Sequence, residues 1–195
     1  MTSRTAELTR ETKETRIRCV LNVDEPGTIA VSTGIGFFDH LLSAIAFHAK
    51  LSLTLEAKGD LQVDDHHTVE DCAIVLGRAL SEALGDRAGV ERFGSSFAPL
   101  DEALARCAID LSGRPFASVA LRLKRERIGE LSTENLPHFF ESLAFAANMT
   151  MHLDVLKGKN DHHRAEAAAK AFALALKAAV RRSGEAIPST KGVLS

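Results

Sequence analysis

The sequence predicts an internally duplicated α+β fold, in which two similar halves pack around a shared core. Three observations carry this. The segment Asp65-His66-His67-Thr68-Val69-Glu70 returns as Asp161-His162-His163-Arg164-Ala165-Glu166, at an offset of 96. Phe37-Phe38-Asp39-His40-Leu41 returns as Phe139-Phe140-Glu141-Ser142-Leu143, at an offset of 102, with Leu51 and Leu53 matching Leu153 and Val155. The apolar stripe Val69, Cys72, Ala73, Leu76, Leu80, Ala83, Leu84 shifts by 96 onto Ala165, Ala168, Ala169, Phe172, Leu176, Ala179, Val180, all apolar. The chain of 195 residues therefore reads as a single domain, residues 1–195, made of two repeats at about 10–95 and 96–195.

The elements follow in order. Arg16 to Asn22 and Thr28 to Thr33 read as a strand pair joined by the turn Asp24-Glu25-Pro26-Gly27. A helix carries Phe37 to Leu42. Ala49 to Glu56 alternates, with Leu51, Leu53 and Leu55 on one face of a strand. The helix after His66-His67 closes the first half, and Asp65 stands where an N-cap is expected. In the second half Ala103 to Leu111 and Phe116 to Leu123 read as strands around Ser112-Gly113-Arg114-Pro115. A helix, a strand and the second His-His helix follow, the last with Asp161 at the expected N-cap. Each half thus reads strand, strand, helix, strand, helix, with room for one more strand, and such halves bury their apolar faces against each other.

Composition narrows the function classes. A formal net charge of -2 gives no basic excess for nucleic acid, and the absence of Trp and Tyr removes the usual base-stacking platforms. No apolar run is long enough for a membrane span, and the polar stretch 1–18 is not a secretory signal. Cys19, Cys72 and Cys107 are scattered and form no C-x-x-C pair; they read as small core residues in a reducing cytoplasm.

Six of the eight histidines fall in or just before the repeated motifs: His40, His66, His67, His138, His162 and His163. On a helix, His66 and Glu70 are four apart and His67 and Glu70 three apart, so the side chains share a face, and likewise His162 or His163 with Glu166. Imidazole and carboxylate together suit manganese, iron, cobalt or zinc, and the lack of cysteine in the cluster argues against a structural zinc knot. A lone His-His pair is ordinarily solvated surface; two copies in a duplication point to metal. Anion contacts are available in Arg92, Arg114, Lys170 (four residues after Glu166) and the polar loop Ser189-Thr190-Lys191-Gly192, which lacks nucleotide P-loop spacing.

These motifs resemble the imidazoleglycerol-phosphate dehydratase family. The matching stretches run from about Arg10 to Ser195: Phe37-Phe38-Asp39-His40-Leu41-Leu42, Gly59-Asp60, Asp64 to Asp71, Ala98-Pro99-Leu100-Asp101-Glu102-Ala103, Asp110 to Pro115, Gly158 to His163, and Ile187-Pro188-Ser189-Thr190-Lys191-Gly192. The resemblance implies a duplicated fold of the ribosomal-protein-S5-domain-2-like type, two sheets flanking a helical layer. It implies a 24-subunit homo-oligomer with manganese sites where subunits meet, two Mn²⁺ per active site. The implied ligands are His40, His66, His67, Glu70, His138, His162, His163 and Glu166, with the division between ions left open. The implied reaction is loss of water from D-erythro-imidazoleglycerol phosphate to give imidazole-acetol phosphate, in histidine biosynthesis. The hydrogen removed is next to no carbonyl, and metal on the substrate's own imidazole would let that ring take up charge. Glu14 is implied as a substrate-contacting acid/base and Glu166 as a ligand that also relays protons. His40, His48, His66 and Glu70 would touch substrate, and Arg92, Arg114, Lys170, Ser189, Thr190 and Lys191 would hold it and its phosphate. Ser43-Ala44 depart from the polar residues of many relatives. With no room for a fused phosphatase domain ahead of Glu14, the chain is expected to be the monofunctional form.

Two other readings compete. A dinuclear hydrolase of a phosphorylated metabolite would use the same ligands, but would seat phosphate on the metals rather than on Arg92, Arg114 and the Ser189 loop. A ferritin-like metal store uses Glu-x-x-His on four long helices, whereas here the order is His-His-x-x-Glu and strands intervene.

Overall fold

The computed structural model describes residues 3–192 and residue 194. Its elements run β1 (Thr5–Glu11), β2 (Thr15–Asn22), β3 (Ile29–Ser32), α1 (Gly36–Ala49), β4 (Ser52–Gly59), α2 (His66–Leu84), then β5 (Phe93–Leu100), β6 (Ala103–Asp110), β7 (Phe116–Ala120), β8 (Arg127–Ile128), β9 (Leu131–Ser132), α3 (Asn135–Ala146), β10 (Thr150–Lys157) and α4 (Asp161–Val180). Two four-stranded sheets have the same topology, β1-β2-β4-β3 and β5-β6-β10-β7. In the first, α2 covers β1 and β2 while α1 lies over β3; in the second, α4 covers β5 and β6 while α3 lies over β7. Across the middle α1 packs on α4 and α2 on α3, so each half presses a helix against the other half. The result is two sheets flanking a four-helix layer, as the resemblance implied.

The periodicities explain the layering. In β2 buried and outward positions alternate, with Ile17, Cys19 and Leu21 turned to the helices. All fourteen residues of the two predicted stripes on α2 and α4 are buried. Helix α4 is also buried at Ala167, Ala171, Ala173 and Ala175, because β5 and β6 lie on one side of it and α1 on another. Small side chains are needed there: a Cβ on Gly94 of β5 would stand 2.0 Å from the Ala175 carbonyl oxygen. The two Phe-Phe pairs meet in the centre, where Phe38 and Phe139 pack edge to face at 5.2 Å. Cys19, Cys72 and Cys107 are free and buried.

Three local expectations are corrected. The strands on either side of Asp24–Gly27 do not form a hairpin, nor do those around Ser112–Pro115. β4 inserts between β2 and β3, and β10 between β6 and β7, with β3 and β7 parallel to the inserted strand. Parallel neighbours need a long crossover, which the 14-residue α1 supplies for β3 and β4. Second, the one further strand allowed for in each half is its first, β1 and β5, while the β8–β9 hairpin between β7 and α3 was not expected. Third, Asp65 and Asp161 do not cap by side chain. The His66 N–H donates to Asp64 and the His162 N–H to Asn160. The two Asp carboxylates instead grip the segment leading to α3: Asp161 accepts the N–H groups of Lys124 and Arg125, and Asp65 that of Ser132. Among the described residues no helix is long and apolar enough to cross a membrane.

Candidate metal centre

The exchange of helices between halves sorts the histidines. α1 brings His40 to the first turns of α4, where His40, His162 and Glu166 offer ligand atoms all within 4.8 Å of one another. α3 brings His138 to the first turns of α2, where His66, Glu70 and His138 do the same. Each triad thus takes one histidine from one repeat and a His-x-x-x-Glu pair from the other. In the first, the Glu166 Oε2 lies 3.2 Å from the Nε2 atoms of both His40 and His162. In the second, Glu70 Oε1 lies 3.0 Å from His138 Nε2, and the rings of His66 and His138 stack at 4.9 Å. Two imidazoles and a carboxylate are an incomplete donor set for a borderline divalent ion.

His67 and His163, the second members of each His-His pair, lie outside both triads. A one-residue step of about 100° along the helix turns these rings to a different face from His66 and His162. The His67 Nδ1 sits 3.0 Å from Asp60 Oδ2, and the His163 Nδ1 2.7 Å from Glu102 Oε2. These carboxylates raise both imidazole pKa values above the ordinary histidine range. Glu102 is itself held far below the usual carboxylate range, first by the Asn160 N–H and then by His163. Donation of Nδ1–H to a carboxylate leaves Nε2 as the free ligand atom, the arrangement that tunes metal-bound histidines. Sequence reasoning singled out neither Asp60 nor Glu102 for this role, although both lie in the matching stretches Gly59-Asp60 and Asp101-Glu102. Their local sequence shows a turn, not a ring across it.

The electrostatics of the Glu166 triad differ from its partner's. Lys170 Nζ lies 2.7 Å from Glu166 Oε1. Burial pushes the Glu166 carboxyl up, but Lys170 and His40 outweigh it and hold it at about 2. On α1, His48 is lowered by burial and by the neighbouring Lys170 and Lys50 cations. Glu14 stands beside His67, its Oε2 3.9 Å from the His67 Nε2.

Apart from Lys170, the expected anion contacts form a separate group. Arg92 donates to both oxygens of Asp110 at 2.7 and 3.2 Å and to the Pro188 carbonyl at 2.9 Å. Arg114 approaches the same carboxylate at 4.0 Å. Arg92 thereby tethers the segment carrying Ser189, Thr190 and Lys191. The Arg92 N–H donates to the Ala179 carbonyl at the far end of α4 from Glu166. Thirteen residues at 1.5 Å each put that end about 20 Å from Glu166.

Comparison with known proteins matches this picture. The family model "Imidazoleglycerol-phosphate dehydratase" matches residues 33–176. A protein of that name from Phytophthora nicotianae is 55% identical over 98% of this chain, which spans 43% of that longer protein. One from Phaffia rhodozyma is 54% identical over 98% of this chain and 96% of its own. The crystal structure of the Pyrococcus furiosus protein, titled as a complex with (S)-C348, superposes with a TM-score of 0.84 at 36% identity, covering 96% of this chain and 100% of that one. On the family match and on identities above one half along nearly its whole length, this chain belongs to the imidazoleglycerol-phosphate dehydratase family.

Proposed function

We propose that the chain is a hydro-lyase that removes water from D-erythro-imidazoleglycerol phosphate to give imidazole-acetol phosphate, a step of histidine biosynthesis in the cytoplasm, using two Mn²⁺ per active site. The observation that carries this is the pair of His, His, Glu triads, each short of a full ligand set, with two further imidazoles on a neighbouring helix face. His40, His162 and Glu166 would hold one ion, and His66, Glu70 and His138 the other. His67 and His163 would complete sites on neighbouring copies. When bound, the ions supply Lewis acidity that makes the substrate's imidazole easier to deprotonate.

The chain's own groups do the rest. Glu14, half-exposed beside His67, is the acid/base at the substrate side chain. Glu166 remains ionised down to acidic pH and combines ligation with proton relay. Lys170 and His48 would line the substrate pocket next to it. Arg92, Arg114, Ser189, Thr190 and Lys191 hold the phosphate, with Asp110 and the Pro188 carbonyl fixing the guanidinium of Arg92. The 20 Å or so between the Arg92 end of α4 and Glu166 exceeds the reach of one small substrate within a single chain. That separation supports an active site shared between copies, in a 24-subunit assembly of single-domain, twice-repeated chains.

The test is to incubate the purified protein and Mn²⁺ with imidazoleglycerol phosphate, following product absorbance in alkali and inorganic phosphate together. The proposal expects the ketone with phosphate retained. Phosphate release without ketone would instead establish the hydrolase reading, and no product at full metal loading would refute the dehydratase.

A further inference from the structure

The two triads are related by the repeat, yet their surroundings differ at one buried amide. Asn135, the first residue of α3, is 3% exposed. Its Oδ1 lies 3.0 Å from His66 Nδ1. Its amide lies beside Asp65, whose oxygens accept from the Ser132 N–H at 2.6 Å and the Ser132 hydroxyl at 2.7 Å. A carboxylate only accepts, so the Asn135 NH₂ must face Asp65. The Asn135 oxygen then faces His66, and the His66 Nδ1 must carry the proton. That leaves the His66 Nε2 lone pair for the triad with Glu70 and His138.

Among the described residues the other triad shows no such amide. In the register that aligns Phe37 with Phe139, Asn135 corresponds to Thr33. Thr33 serves Asp39 instead, donating its N–H and its hydroxyl to Oδ1 at 2.8 and 2.5 Å. The Glu166 triad carries an ammonium in its place, Lys170, which competes with an incoming cation for the Glu166 carboxylate.

We infer that Asn135 is a positioning residue for the His66 ligand, relayed from Asp65 and Ser132, and that it gives the His66, Glu70, His138 site a preorganised ring which the His162 site does not have. The inference rests on the metal-centre reading above. Partners that orient a ligating imidazole ordinarily contribute about 10–100-fold in metal affinity.

The experiment titrates chelator-stripped protein with Mn²⁺ and reads the free ion by electron paramagnetic resonance. Wild type is expected to take up two ions per chain. Asn135→Leu is expected to keep one at wild-type affinity and to weaken the other about 10–100-fold. Equal weakening of both ions, or of neither, would overturn the assignment. A second measurement does not depend on a variant that folds. In ¹⁵N-histidine spectra of metal-free wild type above neutral pH, with His66→Gln identifying the signal, His66 is expected as the Nδ1–H tautomer. The Nε2–H tautomer would overturn the inference. A wild type that binds no Mn²⁺ would sink the metal-centre reading, while the tautomer would still judge Asn135.

Discussion

Replacing Asp161 by Ala separates two accounts of the repeated motif. As an N-cap, which the sequence alone suggests, Asp161 would contribute about 1 kcal/mol. Its carboxylate instead sits with 2% side-chain exposure against Arg164, itself 9% exposed, at 2.8 Å. It also accepts the N–H groups of Lys124 and Arg125, each at 2.7 Å. Burial works against its charge, but these three donors outweigh it and hold its pKa below the ordinary value. Removing it strands a buried guanidinium whose other contacts are the carbonyls of Arg122 and Gly158. Breaking a buried pair from one side ordinarily costs about 3–5 kcal/mol. For a chain of this length each kcal/mol lowers the midpoint by about 2–4 °C, so Asp161→Ala is expected to melt roughly 6–20 °C lower. The assay is thermal unfolding in chelator at fixed protein concentration, beside Asn160→Ala. Asn160 is the residue that accepts the His162 N–H, at 2.9 Å, and its loss is expected to cost about 1 kcal/mol. An Asp161→Ala loss no larger than that of Asn160→Ala would refute the clamp.

Other outcomes follow from the same geometry. Gly94→Ala, with its new Cβ 2.0 Å from the Ala175 oxygen, is expected to lose at least about 1–3 kcal/mol in urea unfolding. Glu166→Gln is expected to lower turnover roughly 10²–10⁴-fold and to leave the second triad's ion in place by metal analysis. The raised pKa values of His67 and His163 fix a sign. In metal-free protein their pairing with Asp60 and Glu102 is fully stabilising below the unfolded histidine pKa and fades as pH rises through the raised folded values. Metal needs the neutral rings, so its uptake is expected to weaken as pH falls through that range and to release protons. Calorimetry in buffers of different ionisation enthalpy reads this directly; uptake without proton release near pH 6.5 would contradict it.

Much of this was readable from periodicity, and the failures are physical. The stripes on α2 and α4 have one answer at 3.6 residues per turn, and all their residues are buried. The His-His-x-x-Glu spacing gave the same-face pairs His66 with Glu70 and His162 with Glu166. It did not show that only one ring of each His-His pair joins a triad, nor that His40 and His138 cross to the opposite repeat. Those facts depend on helix packing between sequence-distant segments. Turn residues such as Pro26-Gly27 mark a reversal but not which strand fills the neighbouring slot, so β4 and β10 were invisible as insertions. The extra strand was allowed for but β1 could not be located, because only Ala6 of its seven residues is buried. Asp65 and Asp161 looked like caps because a cap is a local pattern, whereas Ser132 and Lys124 are distant in sequence.

The measurement that bears most directly on the central claim is turnover of imidazoleglycerol phosphate as Mn²⁺ is restored to chelator-stripped protein. The account predicts no turnover without metal and a rise to a plateau at two ions per chain. Turnover that persists in excess chelator, or a fully loaded protein that forms no imidazole-acetol phosphate, would contradict it.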